Sequence, residues 1–198
     1  MRADKEVTAD RAFDVIETVS RSSGPTKRRG RIGFQQQDFI IYPAHGVGQI
    51  LSVEEQTVAD ASLEFFVIYF AKLKLTVRVP TGKVASVGMR RPSDKALIHN
   101  AKQLLSETPR KSRGTWSRLA LEYGSKIHSG DVIAIAEVVR DLYRPGIESG
   151  QSFSERQLYE TALDRLSDEV ALVEAISREQ AVAEVEGLLK AGRLKRVA

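Results

Sequence analysis

Residues 65–70, Phe65-Phe66-Val67-Ile68-Tyr69-Phe70, form an apolar run with no charged or strongly polar member. A run of this length, built from β-branched and aromatic residues, predicts a strand at the centre of a sheet that is covered on both faces. This stretch therefore indicates that the middle of the first half of the chain is a β domain.

Shorter runs rich in Val, Ile, Phe and Tyr lie on both sides of this stretch. Two precede it, at Phe39 to Tyr42 and Gln49 to Val58, and one follows at Leu75 to Val79, where apolar and polar residues alternate. A fifth short strand is predicted near Val84 to Met89. Five short antiparallel strands in about 55 residues predict a small, strongly bent barrel.

After Pro92 the apolar residues recur with the period of helices. Ser93 and Thr115 are candidate caps for the first two helices, and Ser152 with Glu155 has the spacing of a capping box for a long one. A second box, Ser177 with Gln180, precedes the last helix. The predicted fold class is therefore α+β: a five-stranded antiparallel barrel followed by a bundle of about five helices.

Three segments are expected from these changes of pattern. Residues 1–33 combine the loop-like stretch Ser22 to Pro25 with a cluster of Lys and Arg after it, which predicts a mobile basic arm. Residues 34–92 form the barrel domain. Residues 93–198 form the helical domain.

Composition and charge narrow the class of protein. The net charge is +4, and residues 83–118 alone carry nine basic and two acidic residues. Such clustering suits a phosphate-facing surface, although a solvated basic loop would have the same composition. The chain has no cysteine and no apolar stretch long enough to span a membrane, so we expect a soluble, cytoplasmic protein without a membrane partner.

No arrangement typical of an enzyme is found. His45, His99 and His128 lie in separate predicted elements and lack the spacing of metal ligands. The stretch 46–48, Gly-Val-Gly, runs into a strand and lacks the third glycine of a dinucleotide loop, and the carboxylates of the long helix, among them Asp168, have the pattern of a polar surface. We therefore expect no enzymatic activity, metal, cofactor or small-molecule substrate.

The most distinctive local feature surrounds the only tryptophan. Residues 110–118 read Arg-Lys-Ser-Arg-Gly-Thr-Trp-Ser-Arg, so Trp116 lies at the first turn of a predicted helix behind a basic loop. A helix N-terminus favours phosphate, and an aromatic side chain beside it can wedge into a base step. Trp116 also shares a helical face with Leu119 and Tyr123, so it could equally belong to the bundle core.

Four motifs occur together in a characteristic order. They are Tyr42-Pro43-Ala44-His45-Gly46, Leu75-Thr76-Val77-Arg78-Val79-Pro80, Trp116-Ser117-Arg118, and the segment from Ser129-Gly130-Asp131 through Ala136-Glu137-Val138-Val139-Arg140-Asp141-Leu142. In order and spacing they resemble the CarD family of bacterial transcription regulators over roughly residues 34 to 175.

The resemblance implies a Tudor-like domain that docks on the β subunit of RNA polymerase. It also implies a helical domain that touches promoter DNA at the upstream edge of the transcription bubble, where a Trp enters the minor groove and stabilises the open complex. The polymerase-contacting residue maps onto Arg78, with Thr76 and Val77 beside it in the strand. Trp116 and Arg118 map onto the DNA-contacting residues, and the basic loop adds Arg110, Lys111 and Arg113.

Two positions depart from the pattern of the family. Gln56 stands where some members have a basic residue on the polymerase side, and Leu121 stands where some have one on the DNA side. The function expected is that of a nucleoid-associated polymerase accessory factor whose DNA binding has little sequence preference. The alternative is a free-standing, non-specific architectural DNA-binding protein.

Overall fold

The computed structural model describes residues 33–58, 61–110, 114–145 and 151–194. The predicted arm, except for Gly33, therefore lies outside the described residues. Within them the protein is α+β, with one antiparallel sheet and five helices, as predicted. No helix in these four ranges combines the length and apolar character that crossing a membrane requires.

The sheet contains four antiparallel strands in chain order. They are β1 (Phe39–Tyr42), β2 (Gly46–Val58), β3 (Ala61–Phe70) and β4 (Leu75–Pro80). The apolar run occupies β3, which pairs with β2 on one side and β4 on the other. Phe66, Ile68 and Phe70 are completely buried and form the centre of the sheet core, while Val67 is buried on the opposite face.

The predicted fifth strand is wrong. Residues 81–83 form a short 3-10 helix, turns follow, and the chain returns to the sheet at Arg90, which forms an isolated antiparallel bridge with Ile41. Val84 and Met89 are buried in the sheet core, but the turns over residues 85–88, with Gly88 in the left-handed conformation, separate them. They contribute apolar side chains without forming a ladder of hydrogen bonds. The Tudor-like barrel remains a prediction.

The turn between β3 and β4 forms without glycine. Lys74 takes the left-handed conformation there, with φ +50°, and its N–H donates to the carbonyl of Ala71 over 3.3 Å. A residue other than glycine is uncommon in this region because its Cβ crowds the backbone. The hairpin is nevertheless closed, and β4 aligns in register with β3 from Leu75 to Pro80.

The five helices are α1 (Lys95–Leu105), α2 (Trp116–Ser129), α3 (Val132–Leu142), α4 (Phe153–Glu174) and α5 (Arg178–Leu194). Both predicted capping boxes are present, with reciprocal bonds between Ser152 and Glu155 and between Ser177 and Gln180. The expected cap of α1 is wrong by one residue, because Asp94 and not Ser93 accepts the N–H of Leu97, at 2.7 Å.

Helix α3 lies at the centre of the bundle. Its apolar residues pack between the other helices and are almost completely buried: Val132, Ile135, Ala136, Val138, Val139 and Leu142. Helix α2 adds Tyr123 and Ile127 to the same core, and the partly buried Trp116 packs against it. The sheet and the bundle thus have separate cores. We call residues 34–92 the sheet module and the residues from 93 onward the helical module.

Candidate functional site

Two of the three residues assigned to polymerase contact lie on the outer face of β4, which is the face turned away from the sheet core. Thr76 and Arg78 are exposed, and their register partners Tyr69 and Val67 lie on the same face of the sheet. Val77 has the opposite orientation and packs against the sheet core. A contact through its side chain is therefore restricted, while Arg78 and Thr76 are available to a partner.

Within the described ranges of the chain, Arg78 makes one ion pair, at the surface. Its Nε lies 3.3 Å from Oε2 of Glu54 on β2, and the two side chains are 58% and 37% exposed. Such a pair contributes about 0 to 1 kcal/mol to stability because water screens it and both side chains lose rotamer freedom. A more acidic partner surface can therefore compete for the guanidinium at little cost to the fold.

An apolar strip lies beside Arg78. Phe65, Val67 and Tyr69 alternate along β3 on the outer face, with Val67 buried and the other two half-buried. Charged groups border the strip at Arg78 and Glu54. An apolar centre within a polar rim is typical of protein interfaces. Sequence reasoning interpreted this run as a fully covered strand and so did not assign the strip to a surface.

Trp116 is partly packed in the helical module and partly exposed to solvent. Its indole Nε1 donates to Oγ of Ser154, at 3.0 Å, so the start of α2 is held against the start of α4. The side chain is partly buried and packs against the helical core. Elements of both earlier interpretations are therefore present, since the indole supports the fold and keeps an exposed part. Its insertion into DNA remains a prediction.

The start of α2 offers free backbone donors. Thr115 is the N-cap residue, as predicted, but its side chain forms no capping hydrogen bond with the first turn. Both Thr115 and Gly114 are exposed. Uncapped amides together with the positive end of the helix dipole favour an anion such as phosphate.

The basic residues around Trp116 are in part described. Arg110 and Arg118 are exposed, whereas Lys111 and Arg113 lie outside the described residues. The backbone N–H of Arg110 donates to Oδ1 of Asp141 at 3.1 Å, and Nε of Arg140 donates to the same oxygen at 2.9 Å. Arg140 and Asp141 are buried at the end of α3 and so anchor the beginning of the basic loop.

Two large apolar side chains of the helical module, one on α4 and one on α2, are exposed to solvent. Phe153, in the first turn of α4 next to Ser154, is 81% exposed, and Leu121 on α2 is 77% exposed. At this exposure most of the Leu121 side chain lies in water and not in the helical core. Phe153 therefore adds an exposed apolar side chain next to the residue that binds the indole of Trp116. Leu121 lies five residues further along α2, about 140° around the helix from Trp116.

The Tyr-Pro-Ala-His-Gly turn lies between the modules. Arg165 of α4 donates to the backbone carbonyls of Pro43 and Ala44. Pro43 Cγ lies 3.1 Å and 3.2 Å from where a Cβ on Gly88 and on Gly130 would be, so any side chain at either glycine would push against the proline. His45 stacks on Tyr42 with ring centroids 5.3 Å apart. The motif therefore has a structural position at the module boundary.

Arg90 and Glu169 form the main polar contact between the modules. Nη1 and Nη2 of Arg90 lie 2.8 Å from Oε1 and Oε2 of Glu169, which is 2% exposed. The same guanidinium donates to the carbonyl of Gly130 through Nε at 2.8 Å and Nη2 at 2.5 Å. Sequence reasoning missed this pair, because a glutamate within a polar helix pattern resembles a surface residue.

Two other carboxylates of α4 also form ion pairs across the boundary between the modules. Nζ of Lys72, in the turn before β4, lies 2.9 Å from Oδ2 of Asp164 and 3.4 Å from Oδ2 of Asp168. Arg178 pairs with the same two carboxylates from within the helical module. In the described part of the chain no three His, Asp or Glu side chains converge as metal ligands would.

Comparison with known proteins gives matches to both modules. A model of the CarD-like/TRCF RID domain matches residues 34–93, and a model of the CarD C-terminal domain matches residues 93–186. Together they span more than three quarters of the chain. The protein named "Putative transcription factor YdeB", from Bacillus subtilis (strain 168), is 29% identical over 147 residues, which are 74% of this chain and 96% of the relative.

Proposed function

Because this chain belongs to the CarD family of transcription regulators, we propose that it binds the β subunit of RNA polymerase through the sheet module and promoter DNA through the helical module. Contact at the upstream edge of the transcription bubble then stabilises the open complex. In this proposal residues 34–92 form the Tudor-like, polymerase-interacting domain. Residues 93–198 form the DNA-binding domain, and the basic arm 1–33 precedes both.

The observation that carries the proposal is the accessibility of the assigned residues on both modules. Arg78 is exposed beside an apolar strip, and part of Trp116 is exposed between Arg110 and Arg118 along the chain. The first arrangement suits an acidic protein surface, since an apolar centre supplies affinity and the charge supplies orientation. The second suits a minor groove, where cations contact phosphates and an apolar side chain enters a base step.

DNA contacts of this kind carry little sequence information. Arg110 and Arg118 suit phosphates, and an indole can enter many base steps. Specific placement then comes from the polymerase, which raises the local concentration of the helical module near the bubble to about the millimolar range. We therefore propose a non-enzymatic accessory factor, associated with the nucleoid through polymerase.

The test for the polymerase partner is site-specific photo-crosslinking of the full chain. A photo-reactive residue at Thr76, on the outer face of β4, is expected to crosslink to the β subunit of purified RNA polymerase. The same residue at Glu179, exposed on α5, is the matched control and is expected to give no β-subunit product. Crosslinks to other subunits only, or none from Thr76, would contradict the proposal.

The test for the DNA partner compares affinities with and without polymerase. Binding of the full chain to a fluorescent duplex with an open bubble is expected to be weak alone and at least tenfold tighter in a polymerase complex. Equal affinity under both conditions would favour the alternative, a free-standing architectural DNA-binding protein.

A further inference from the structure

Arg90 belongs to the sheet by its backbone and to the helical module by its side chain. Its N–H donates to the carbonyl of Ile41 at 3.0 Å, and its carbonyl accepts the N–H of Ile41 at 2.8 Å. The guanidinium extends to Glu169 on α4 and to the carbonyl of Gly130 at the end of α2. One residue therefore connects an edge strand with two helices.

Glu169 is held on both oxygens. Besides the two bonds from Arg90, its Oε1 accepts the N–H of Ser93 at 2.9 Å, in the segment that leads from the sheet to α1. With 2% exposure the carboxylate is out of water. A small rotation between the modules would pull Arg90 away from a carboxylate that stays buried, and a buried charge without a partner is unfavourable, so such rotations are resisted.

Arg165 makes the reciprocal contact. Its backbone belongs to α4 and its guanidinium binds the carbonyls of Pro43 and Ala44 in the turn between β1 and β2. Burial lowers the pKa of Arg165 from its ordinary value. Pro43 in turn packs closely against Gly88 of the sheet module and Gly130 of the helical module. The boundary is thus fixed at two places along α4, one turn of the helix apart.

We propose that Arg90, Glu169 and Arg165 are positioning residues that hold the outer face of the sheet at one angle to the Trp116 surface. The consequence for activity rests on the proposed function: only with a fixed angle does docking on polymerase bring Trp116 to one place on the DNA. A flexible joint would spread the helical module over a larger volume and lower its effective concentration at the bubble.

The first test measures the angle directly in the free protein. The chain has no cysteine, so spin labels at Gln56→Cys on β2 and Ser117→Cys on α2, both exposed positions, are unique. Pulsed electron resonance is expected to give one narrow distance distribution, and Glu169→Gln is expected to broaden it. A broad distribution in the parent chain, or an equally narrow one in the variant, would overturn the proposal.

Two further variants separate positioning from folding. Arg165→Gln leaves the buried Arg90 pair intact and is also expected to broaden the distribution, so the test stands if Glu169→Gln does not fold. Lys72→Gln is the matched control, since it removes an exposed ion pair across the same boundary. It is expected to leave the distribution narrow. Broadening by Lys72→Gln as large as that by Arg165→Gln would contradict the assignment.

The second test connects the angle with activity, in unlabelled chains. Glu169→Gln and Arg165→Gln are expected to bind polymerase alone and DNA alone within about twofold of the parent, and to lose about tenfold in DNA affinity within the polymerase complex. Full retention there would overturn the positioning role. If the parent chain itself binds neither polymerase nor DNA, the proposed function is wrong. The distance measurements then still show whether Arg90, Glu169 and Arg165 fix the angle between the modules.

Discussion

The two modules present their proposed contact residues in different ways. Arg78 projects from a strand whose core lies on the other face, and its one described ion pair is exposed. Trp116 is itself packed against the helical core and is bonded to Ser154. A contact residue of the first kind can change with little effect on folding, whereas one of the second kind links binding to stability.

Substitution of Trp116 is expected to have the largest effect. Trp116→Ala removes apolar contacts with the core, and for a half-buried side chain we expect the free energy of unfolding to fall by about 2 kcal/mol. Affinity for bubble DNA in the polymerase complex should fall as well. Chemical denaturation and open-complex lifetime, measured on the same preparations, would show both effects.

Trp116→Phe is the control, because it keeps an aromatic ring and removes only the donor to Ser154. It is expected to lose less stability than the alanine variant and to keep part of the open-complex lifetime. An alanine variant with unchanged stability would mean that Trp116 serves binding alone, and the contrast between the modules would then disappear.

Charge reversal at Arg78 is expected to affect binding without affecting the fold. Arg78→Glu should weaken polymerase binding by about 1 to 3 kcal/mol, because an attractive charge becomes repulsive at an acidic surface. The unfolding midpoint should stay nearly unchanged, since only a surface ion pair with Glu54 is lost. Lys83→Glu, at another exposed cation of the sheet module, is the matched control in the binding titration. A large drop in the midpoint of the Arg78 variant would show a structural role.

Arg118 is expected to act as a phosphate contact. Arg118→Ala should weaken DNA binding by the free chain and reduce the slope of log affinity against log salt by about one unit, with no dependence on DNA sequence. Titrations at several salt concentrations measure this slope. An unchanged slope would remove Arg118 from the DNA surface and leave Arg110 as the described arginine of that surface.

The smallest predicted effect concerns the contact between α2 and α3. The hydrogen bond from Lys126, 2.8 Å from Oε2 of Glu137, lowers the pKa of Glu137 in the folded protein. Its contribution is therefore present above the ordinary pKa of a glutamate and is lost as the pH falls through the lowered value. Glu137→Gln is expected to cost about 0.5 kcal/mol at pH 7, and the difference from the parent should vanish in acid. The free energies of unfolding of parent and variant are measured at pH 7 and in acid, and an equal difference under both conditions would contradict this assignment.

The sequence predicts elements better than it predicts contacts between them. Both capping boxes and all five helices follow from local patterns, because a cap and its amide are only three residues apart. The segment 84–89 was wrongly predicted as a strand, since its apolar residues serve the core from a series of turns. Asp94 and not Ser93 caps α1, and the hydroxyl of Ser93 instead accepts a hydrogen bond from Arg90, a contact that helical periodicity does not indicate.

In the candidate site, too, the sequence predicts which residues are present better than it predicts their orientation and contacts. Val77 lies in the motif of the strand proposed to contact polymerase, but the alternation of β4 turns its side chain toward the core, so position in a motif does not determine orientation. Glu169 was missed because its partner is 79 residues away in the chain. Helical periodicity identifies which residues are polar, yet it does not distinguish a solvated carboxylate from one that another module covers.

The contacts between the two modules also determine when, during synthesis on the ribosome, the modules can dock on each other. The sheet is complete when Arg90 has been synthesised, but its partner Glu169 is 79 residues later, and Arg165 is 122 residues after Pro43. At synthesis rates of about 5–20 residues per second, the emerging sheet module waits about ten seconds for Glu169. The two contact surfaces thus acquire their relative orientation only after α4 has left the exit tunnel, as one of the last steps in the maturation of the chain.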